Sequence, residues 1–321
     1  MNLGELKQHI RAVAQDVSEF SRLWTDEEII QYINDGQIEA CRNAPWILKT
    51  SSMSVGEVKP KSILTVDGFL GTGTVSKILV NNVNIITNAI TYNNDNSLTA
   101  SLLSNEINDT GLFTATVNGG AITIEPVESN GSFYNNQVPL IVATGSYLTA
   151  TQFTGGVDGI CRIQLKPNIK EYSFSNKILK IEAFYLGENQ NKLSIKDFRD
   201  LCDSDKNIAK QKGNVECILY GLGSNSFYVA RVPTVKDYIN MTVCYLPLKT
   251  LRANSDIPEI PEYLHSKLVH YALYRMYMKN DIEGEQMDIS NFHYSKFIEE
   301  FGDNQFGAIS NKNNDVFFFG G

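Results

Sequence analysis

Apolar residues recur at helical spacing near both ends of the chain, whereas short alternating apolar runs fill most of the middle. The first stripe predicts an amphipathic helix and consists of Leu3, Leu6, Ile10, Val13 and Val17. The second stripe predicts another helix and consists of Ile29, Ile30, Ile33, Gln37, Ala40 and Cys41. We expect Pro45 to end this second helix, because proline lacks the amide hydrogen that a helix needs.

The second helix has a clear start signal. Thr25 precedes the acidic residues 26–28, which predicts a capping box in which its hydroxyl accepts a hydrogen bond from the amide of Glu28. The acidic first turn also suits the positive end of the helix dipole. Consecutive helical residues point in different directions, so Asp26, Glu27 and Glu28 are interpreted as capping groups and not as a catalytic cluster.

Two more helices are predicted near the other end of the chain. A long helix begins at Pro258, and its apolar face carries Leu264, Leu268, Tyr271, Ala272 and Arg275. The next helix covers residues 283–301. It ends at Gly302, since glycine readily adopts the left-handed conformation found after a helix.

Residues 60–156 form a distinct block in which charge nearly vanishes and small polar residues alternate with Val, Ile and Leu. Short strands are predicted at residues 77–86, 113–117, 121–125 and 139–143. A hairpin is predicted at Asn118, Gly119 and Gly120, because these residue types tolerate a positive φ. Residues 98–107 favour a short helix lying across the sheet.

The strand pattern resumes after this block. Strands are predicted at residues 160–169, 178–186, 216–222, 226–232 and 238–246, and a short helix or turn at residues 195–203. The fold class predicted is α+β, with a helical bundle of the N- and C-terminal helices, a β-rich middle and an inserted small β-sandwich-like module. The predicted domains are a core of residues 1–59 and 157–302, an inserted module of residues 60–156 and an extended docking tail of residues 303–321.

Composition supports a folded protein with an excess of acidic groups. The 321 residues are 42% apolar and 20% charged, with a net charge of −8 and a pI near 5.1. This charge argues against a surface that binds nucleic acid by neutralising phosphates. The amphipathic start lacks the apolar region of a signal peptide, and no apolar run approaches the roughly 20 residues that span a membrane. We expect a soluble protein made in a cytoplasm.

The five cysteines predict neither a metal site nor a disulfide framework. They are widely scattered, at Cys41, Cys161, Cys202, Cys217 and Cys244. Without a CxxC pair or close Cys/His spacing they do not predict zinc. Their odd number is typical of reduced, buried thiols.

No motif predicts an enzyme or a cofactor. His265 and His270 stand five positions apart, so they do not share a helix face as a metal-binding pair would, and His293 is interpreted with them as a surface or packing residue. The glycines of residues 68–73 and 221–223 lack the Gly-Lys-Ser/Thr ending of a phosphate-binding loop. Both segments are interpreted as turns.

The two helical ends resemble the head-to-tail adaptor (connector ring) proteins of tailed bacteriophages. The first part of the pattern comprises residues 3–6 (LGEL), 24–35 (WTDEEIIQYIND) and 44–46 (APW). The second part comprises residues 257–265 (IPEIPEYLH), 271–274 (YALY) and 281–283 (DIE). The resemblance extends more loosely over the strands of residues 161–246. A histidine commonly follows the Pro-Glu-Tyr stretch in such proteins, so the resemblance implies that His265 positions the turn.

The resemblance implies a structural virion protein without catalytic turnover. Such proteins form a ring, usually a dodecamer, below the portal, and they offer a platform to the next tail or ring protein. Double-stranded DNA passes through the lumen without specific binding, for which an acidic wall is expected. The implied location is the neck or tail of a virion assembled in the bacterial cytoplasm, in a crAss-like or other podovirus-type phage. The insert is expected to project outward from the ring.

The tail predicts a docking segment. Residues 316–321 (VFFFGG) close an Asn-rich stretch, and each Phe contributes about 1.5–3 kcal/mol when fully buried. This tip either folds back on its own domain or inserts into a neighbouring ring subunit or the portal. The interaction residues implied are Tyr263, His265, Tyr271, Tyr274, Phe306, Phe317, Phe318 and Phe319.

The sequence leaves two functions open as alternatives to the ring protein. A glycan- or receptor-binding tail module would use Tyr92, Tyr134 and Tyr147 to stack on sugars, and a glycan array would test it with the isolated insert. A virion cell-wall hydrolase would give a positive zymogram. Neither alternative is carried by a motif in the sequence.

Overall fold

The computed structural model describes residues 1–16, 22–68, 73–128, 131–145, 147–187, 191–197, 211–220, 225–279, 285–302 and 317–318. The chain divides into two compact units. The core unit comprises Met1–Ser51 and Leu165–Gly321, and the inserted unit comprises Ser52–Gln164. The described residues form a mixed α+β protein that is rich in strands.

Five α-helices lie within the described residues: α1 Leu3–Val13, α2 Asp26–Asn43, α3 Asn96–Asp109, α4 Leu268–Tyr277 and α5 Glu285–Phe301. Short 3-10 turns cover Pro45–Ile47 and Glu262–Lys267. The core unit contains α1, α2, α4 and α5, here called the helix cluster. Within it, α2 and α4 each contact the other three helices.

The described strands, in chain order, are β1 Lys49–Thr50, β2 Ser62–Val66, β3 Thr74–Val80, β4 Val83–Asn84, β5 Ile90–Thr91, β6 Phe113–Asn118, β7 Ala121–Pro126, β8 Leu140–Thr144, β9 Leu148–Ala150, β10 Arg162–Leu165, β11 Glu171–Ser173, β12 Ile178–Leu186, β13 Asn191–Asp197, β14 Cys217–Tyr220, β15 Ser226–Ala230, β16 Asp237–Tyr245 and β17 Phe317–Phe318. Strands β2 to β9 lie in the inserted unit and β11 to β17 in the core unit. β1 also belongs to the core unit, and β10 spans the boundary in sequence.

Capping boxes begin the first two helices. The Asn2 side chain caps α1 and the Thr25 side chain caps α2, each accepting a hydrogen bond from the amide of the glutamate three residues on. Those glutamates, Glu5 and Glu28, accept hydrogen bonds from the cap amides in return. The predicted capping box at Thr25 is confirmed.

The apolar stripe of α1 is shorter than predicted. Its buried apolar face consists of Leu3, Leu6 and Ile10. Val13 is exposed, because α1 ends there and Gln15 adopts a left-handed φ of 57°. Val17 lies outside the described residues.

The prediction that a long α-helix begins at Pro258 was wrong. Glu262–Lys267 form a 3-10 turn, and α4 begins only at Leu268. Proline disfavours the helical conformation in the residue before it, and Pro261 itself is extended with a ψ of 141°. The next predicted helix is confirmed as α5, which is followed by Gly302.

The sheet of the core unit has the strand order β1-β16-β12-β13-β14-β15-β11, and β17 also pairs with β12. The β13–β14 pair is parallel, with Ile195 opposite Ile218. Residues 195–197 were therefore wrongly predicted as part of a short helix or turn, because pairing with a neighbouring strand overrides local propensity. The remainder of that prediction, residues 198–203, lies outside the described residues.

The inserted unit contains two four-stranded sheets. One has the order β6-β7-β2-β9, and the other has the order β4-β3-β5 with β8 also paired to β3. Both sheets and α3 contribute to a single apolar cluster, whose fully buried members include Leu64, Ile78, Leu103, Ile122 and Phe153. The short helix predicted across the sheet is confirmed as α3.

Two turns of the inserted unit follow from residues that accept a positive φ. Between β6 and β7, Asn118 lies opposite Ala121 and Gly119 has a φ of 61°, which confirms the predicted hairpin. The single strand predicted over residues 77–86 was wrong, because Asn81 and Asn82 have φ values of 50° and 64° and separate β3 from β4.

Candidate assembly surfaces

Side chains of α2 join the end of α4 in the helix cluster. Lys279 Nζ lies 2.6 Å from a carboxylate oxygen of Glu28, and this hydrogen bond lowers the pKa of Glu28. The Arg275 guanidinium lies 3.4 Å from Asp35 and 5.2 Å from the centre of the Tyr32 ring. The segments that contain the two parts of the adaptor-like pattern therefore pack against each other.

Arg11 is the centre of a charged network between α1 and the start of α2. Its guanidinium pairs with Asp16, and it donates to Asp26 at 2.6 Å. It also donates to the carbonyl of Trp24 at 3.1 Å, and Lys7 Nζ lies 2.8 Å from the other oxygen of Asp26. Hydrogen bonds from Lys7 and Arg11 lower the pKa of Asp26 to about 2. The network fixes the residues that precede α2.

His265 holds the turn that leads into α4. The residue is only 2% exposed, and its Nε2 lies 2.8 Å from the carbonyl of Ile260. Its Nδ1 lies 2.9 Å from the carbonyl of Met1. These contacts support the expected role in positioning the turn. Tyr263, in the same turn, is 68% exposed.

A cleft of about 420 Å³ opens beside this turn. Its lining consists of Met1, Asn2, Glu5, Ile257, Pro258, Ile260, Glu262 and His265. Ile257 is largely exposed, and Glu5 and Glu262 add two carboxylates. Acidic and apolar groups thus lie side by side next to Tyr263.

Tyr271 and Tyr274 of α4 contribute to packing within the helix cluster. Tyr271 is buried against α2 at Gly36, where an added Cβ would come within 3.2 Å of the ring. The Tyr271 ring also lies 5.0 Å from that of Phe297 on α5. Tyr274 is half-buried, with its ring 4.7 Å from that of Tyr294. The contacts described for these two predicted residues therefore lie within the helix cluster.

A histidine pair joins α4 to α5. Nδ1 of His270 lies 3.0 Å from Nδ1 of His293, and the ring of Tyr277 stacks on that of His293 at 6.0 Å. Burial lowers the pKa of both histidines, to about 4 for His293. Within the described ranges, no group of three or more His, Cys, Asp or Glu side chains is placed to hold a metal ion.

Helix α5 presents an apolar surface that sequence reasoning missed. Its buried face consists of Ser290, His293, Phe297 and Phe301. Met287, Ile289 and Phe292 lie off that face and are exposed. Ile289 and Phe292 are three positions apart and share one side of the helix, so we call these two residues the α5 outer face. Met287 lies on another side of the helix. In the sequence, the signal for this face is the presence of apolar residues at helix positions outside the buried stripe. Exposed apolar patches are typical of interaction sites.

Two of the predicted tail residues have a described position. Phe317 and Phe318 form β17, where they lie opposite Ile181 and Lys180 of β12 in the same chain. Of the two predicted arrangements, folding back on its own domain is the one described for these residues. Phe306 and Phe319 lie outside the described residues.

The tyrosines considered for sugar stacking pack inward instead. Tyr147 is fully buried, and its hydroxyl donates to the carbonyl of Ile90 at 2.8 Å. Burial raises the pKa of Tyr147 to about 12. Tyr92 and Tyr134 are partly buried against the same apolar cluster. The ring of Tyr147 is therefore not available to a glycan.

Four of the five cysteines, Cys41, Cys161, Cys217 and Cys244, are buried, as predicted. Burial raises the pKa of Cys41 to about 12 and that of Cys244 to about 11. Cys202 lies outside the described residues. Among the described helices, none combines the length and apolarity needed to cross a bilayer.

Comparison with known families agrees with the adaptor pattern in part of the chain. Residues 158–315, just under half of the sequence, match the family model of the SU10 adaptor protein. No curated protein sequence matches the chain. The family match supports a phage adaptor protein, and with it a structural component of the virion.

Proposed function

We propose that the protein forms a ring below the portal of a tailed phage, connects the head to the tail and extends the DNA channel. The match of residues 158–315 to the adaptor family carries this proposal. The matched range contains α4, α5 and strands β11 to β16. The ring assembles in the bacterial cytoplasm and becomes part of the neck or tail, in a crAss-like or other podovirus-type phage. The protein has no catalytic role and needs no cofactor.

Ring closure needs two different surfaces on each subunit that fit each other through a fixed rotation. The helix cluster carries one of these two surfaces. Ion pairs and buried rings hold its helices in fixed positions, so this surface keeps its shape. We propose that the α5 outer face and Tyr263 contact the portal or a neighbouring subunit. Twelve copies would close the ring, as in the proteins that the sequence resembles.

The predicted interaction residues take different parts in this contact. His265 fixes the turn that carries Tyr263, and Tyr271 and Tyr274 pack α4 against α5, which carries the outer face. Phe306, Phe317, Phe318 and Phe319 belong to the tail, which docks on a neighbouring subunit or the portal. The next tail or ring protein binds the opposite side of the ring.

Double-stranded DNA passes through the lumen without specific binding. The net charge of −8 supports this, because an acidic wall forms few ion pairs with phosphates. Lumen-facing residues that are mainly Lys and Arg would contradict the proposal. A gel-shift titration at low salt is expected to show no stable complex with duplex DNA.

The inserted unit projects from the outside of the ring and recruits a later component. Replacing Ser52–Gln164 by a short Gly/Ser linker tests this, since these residues form a compact unit of their own. We expect rings that still assemble but no longer recruit the next tail protein. Loss of ring formation itself would show that the unit has another role.

The main experiment images the purified protein, alone and mixed with portal, by negative-stain electron microscopy. Light scattering after gel filtration gives the number of copies. Phe292→Ser is expected to weaken ring or portal binding without unfolding α5, because this side chain is exposed. Leu98→Ser, at an exposed position of α3, is the matched control. A persistently monomeric protein that does not bind portal would overturn the proposal.

A further inference from the structure

Strand β12 has one edge that its sheet covers only in part. β16 pairs with β12 from Ile178 to Leu186. On the opposite edge, β13 pairs only with the last three residues, from Phe184 onward. β17 pairs with Lys180 and Ile181, where β16 also pairs, so β17 lies on the edge that β13 leaves open.

The open part of this edge carries three buried residues, Ile178, Lys180 and Ile181. Lys180 Nζ lies 3.7 Å from the carboxylate of Glu182, so its charge is paired within the strand. A strand edge that its own sheet covers only in part readily accepts another strand, because the backbone groups of both strands then form hydrogen bonds. This edge therefore favours occupation by an added strand.

The strand that fills it is connected by a long tether. Fifteen residues, 302–316, separate the end of α5 from β17. A chain of this length spans about 50 Å when extended, which is enough to reach an adjacent subunit. When copies are held side by side in a ring, the β17 of a neighbour is connected by a segment of the same length and can compete with the chain's own β17 for this edge.

We infer that the strand is exchanged in the assembled ring, so that residues 317–318 of one copy pair with β12 of the next copy. This inference rests on the proposed ring. Exchange keeps the backbone pairing that the single chain makes and adds a contact between copies. Each copy gives a strand on one side and receives one on the other, which is the head-to-tail contact that a closed ring requires.

A disulfide between the register partners tests the exchange. The full chain carries Lys180→Cys and Phe318→Cys, with Cys202→Ser and Cys244→Ala to remove competing thiols, since Cys244 lies opposite Lys180 on β16. After oxidation, exchange gives a ladder of covalent multimers on a non-reducing gel. A cross-linked monomer would overturn the inference. So would the lack of any cross-link, because β17 would then not occupy β12.

Co-expression of the two single variants adds a second readout. Each chain then carries one new thiol, so exchange gives covalent dimers and nothing longer. Lys192→Cys with Phe318→Cys is the control, because Lys192 lies on β13, where it pairs with Tyr185 of β12 and not with β17, so covalent dimers should be lost. Light scattering on the same samples separates the two proposals. Rings in which every disulfide lies within one chain overturn the exchange alone. The absence of rings overturns the proposed function as well.

Discussion

The indole Nε1 of Trp24 donates a hydrogen bond to the carbonyl of Met276 at 3.2 Å, across 252 positions of the sequence. Trp24 is buried just before α2, and Met276 lies in the last turn of α4. The ring of Tyr277 meets the indole edge-on at 5.9 Å. This contact packs the residue before α2 against the last turn of α4 and so joins these two helices.

Replacing Trp24 by Phe tests this contact. The variant keeps an aromatic ring but removes one donor to the Met276 carbonyl, which still accepts from the amide of Lys279, so the expected cost is about 0.5–1.5 kcal/mol in the free energy of unfolding. Urea unfolding followed by circular dichroism measures the change. Trp46→Phe is the matched control, because Trp46 is exposed and its loss is expected to change stability by less than about 0.5 kcal/mol. Equal destabilisation by both variants would contradict the assignment.

The Arg11 network predicts a stability contribution that depends on pH. Folding lowers the pKa of Asp26 from 3.8 to about 2, through hydrogen bonds from Lys7 and Arg11. A lowered carboxyl pKa stabilises the folded state above pH 4, and that stabilisation is lost as the pH falls towards 2. Since Asp26 is partly exposed, Asp26→Asn is expected to cost only about 0.2–1 kcal/mol at neutral pH.

The difference between wild type and Asp26→Asn should shrink when both are unfolded at pH 3 and then at pH 2. Glu27→Gln is the control, because Glu27 is exposed and lies in the same first turn of α2. It removes a charge at the helix start without touching the Arg11 network. If Glu27→Gln lowers the free energy of unfolding as much as Asp26→Asn does, the effect arises from the helix dipole and not from the Arg11 network.

Local signals in the sequence were sufficient for part of the fold. The cap at Thr25 and the hairpin at Gly119 were predicted correctly, because each depends on residues within one turn. Residues 195–197 were not, since their strand depends on pairing with β14, which comes later in the chain. Likewise, the single strand predicted over residues 77–86 did not allow for the left-handed backbone of Asn81 and Asn82, which separates β3 from β4.

The candidate surface was predictable only at the level of segments. The adaptor-like pattern located the turn before α4, but it gave no means of telling the exposed Tyr263 from the buried His265. That difference depends on contacts with Ile260 and Met1, which the pattern does not encode. The α5 outer face was missed because the helix of residues 283–301 was predicted by its bounds alone, without a buried and an exposed side.

The Thr25 cap gives a prediction for helix α2. Its hydroxyl accepts from the amide of Glu28 at 3.2 Å, and the Glu28 carboxylate accepts from the amide of Thr25 at 2.9 Å. Thr25→Ala removes the acceptor and is expected to lower the free energy of unfolding by about 1 kcal/mol. Thr25→Ser keeps the hydroxyl and should stay close to wild type in the same thermal or urea unfolding. If serine fails to restore stability, the hydroxyl is not the stabilising group.

The His270–His293 pair gives a pH dependence of the same sign as that of Asp26, but at higher pH, and it has its own test. Burial and the neighbouring His270 lower the pKa of His293 from 6.5 to about 4, so below pH 6.5 the unfolded chain binds a proton that the folded chain does not. Stability is therefore expected to be full above pH 6.5 and to fall by roughly 2–3 kcal/mol towards pH 4. The charged groups around His270 that also act on its pKa are Lys267, Glu300, Lys296 and His9.

His293→Phe keeps a ring against Tyr277 but cannot be protonated, so it should flatten the dependence of the urea midpoint on pH between 6.5 and 4. The exposed His9 provides the control, His9→Asn, which is expected to leave the dependence in place. Carboxylates that titrate in the same range act equally on all three proteins, so the difference between midpoints isolates the buried pair. An unchanged slope in His293→Phe would show that protonation of this residue does not open the contact between α4 and α5.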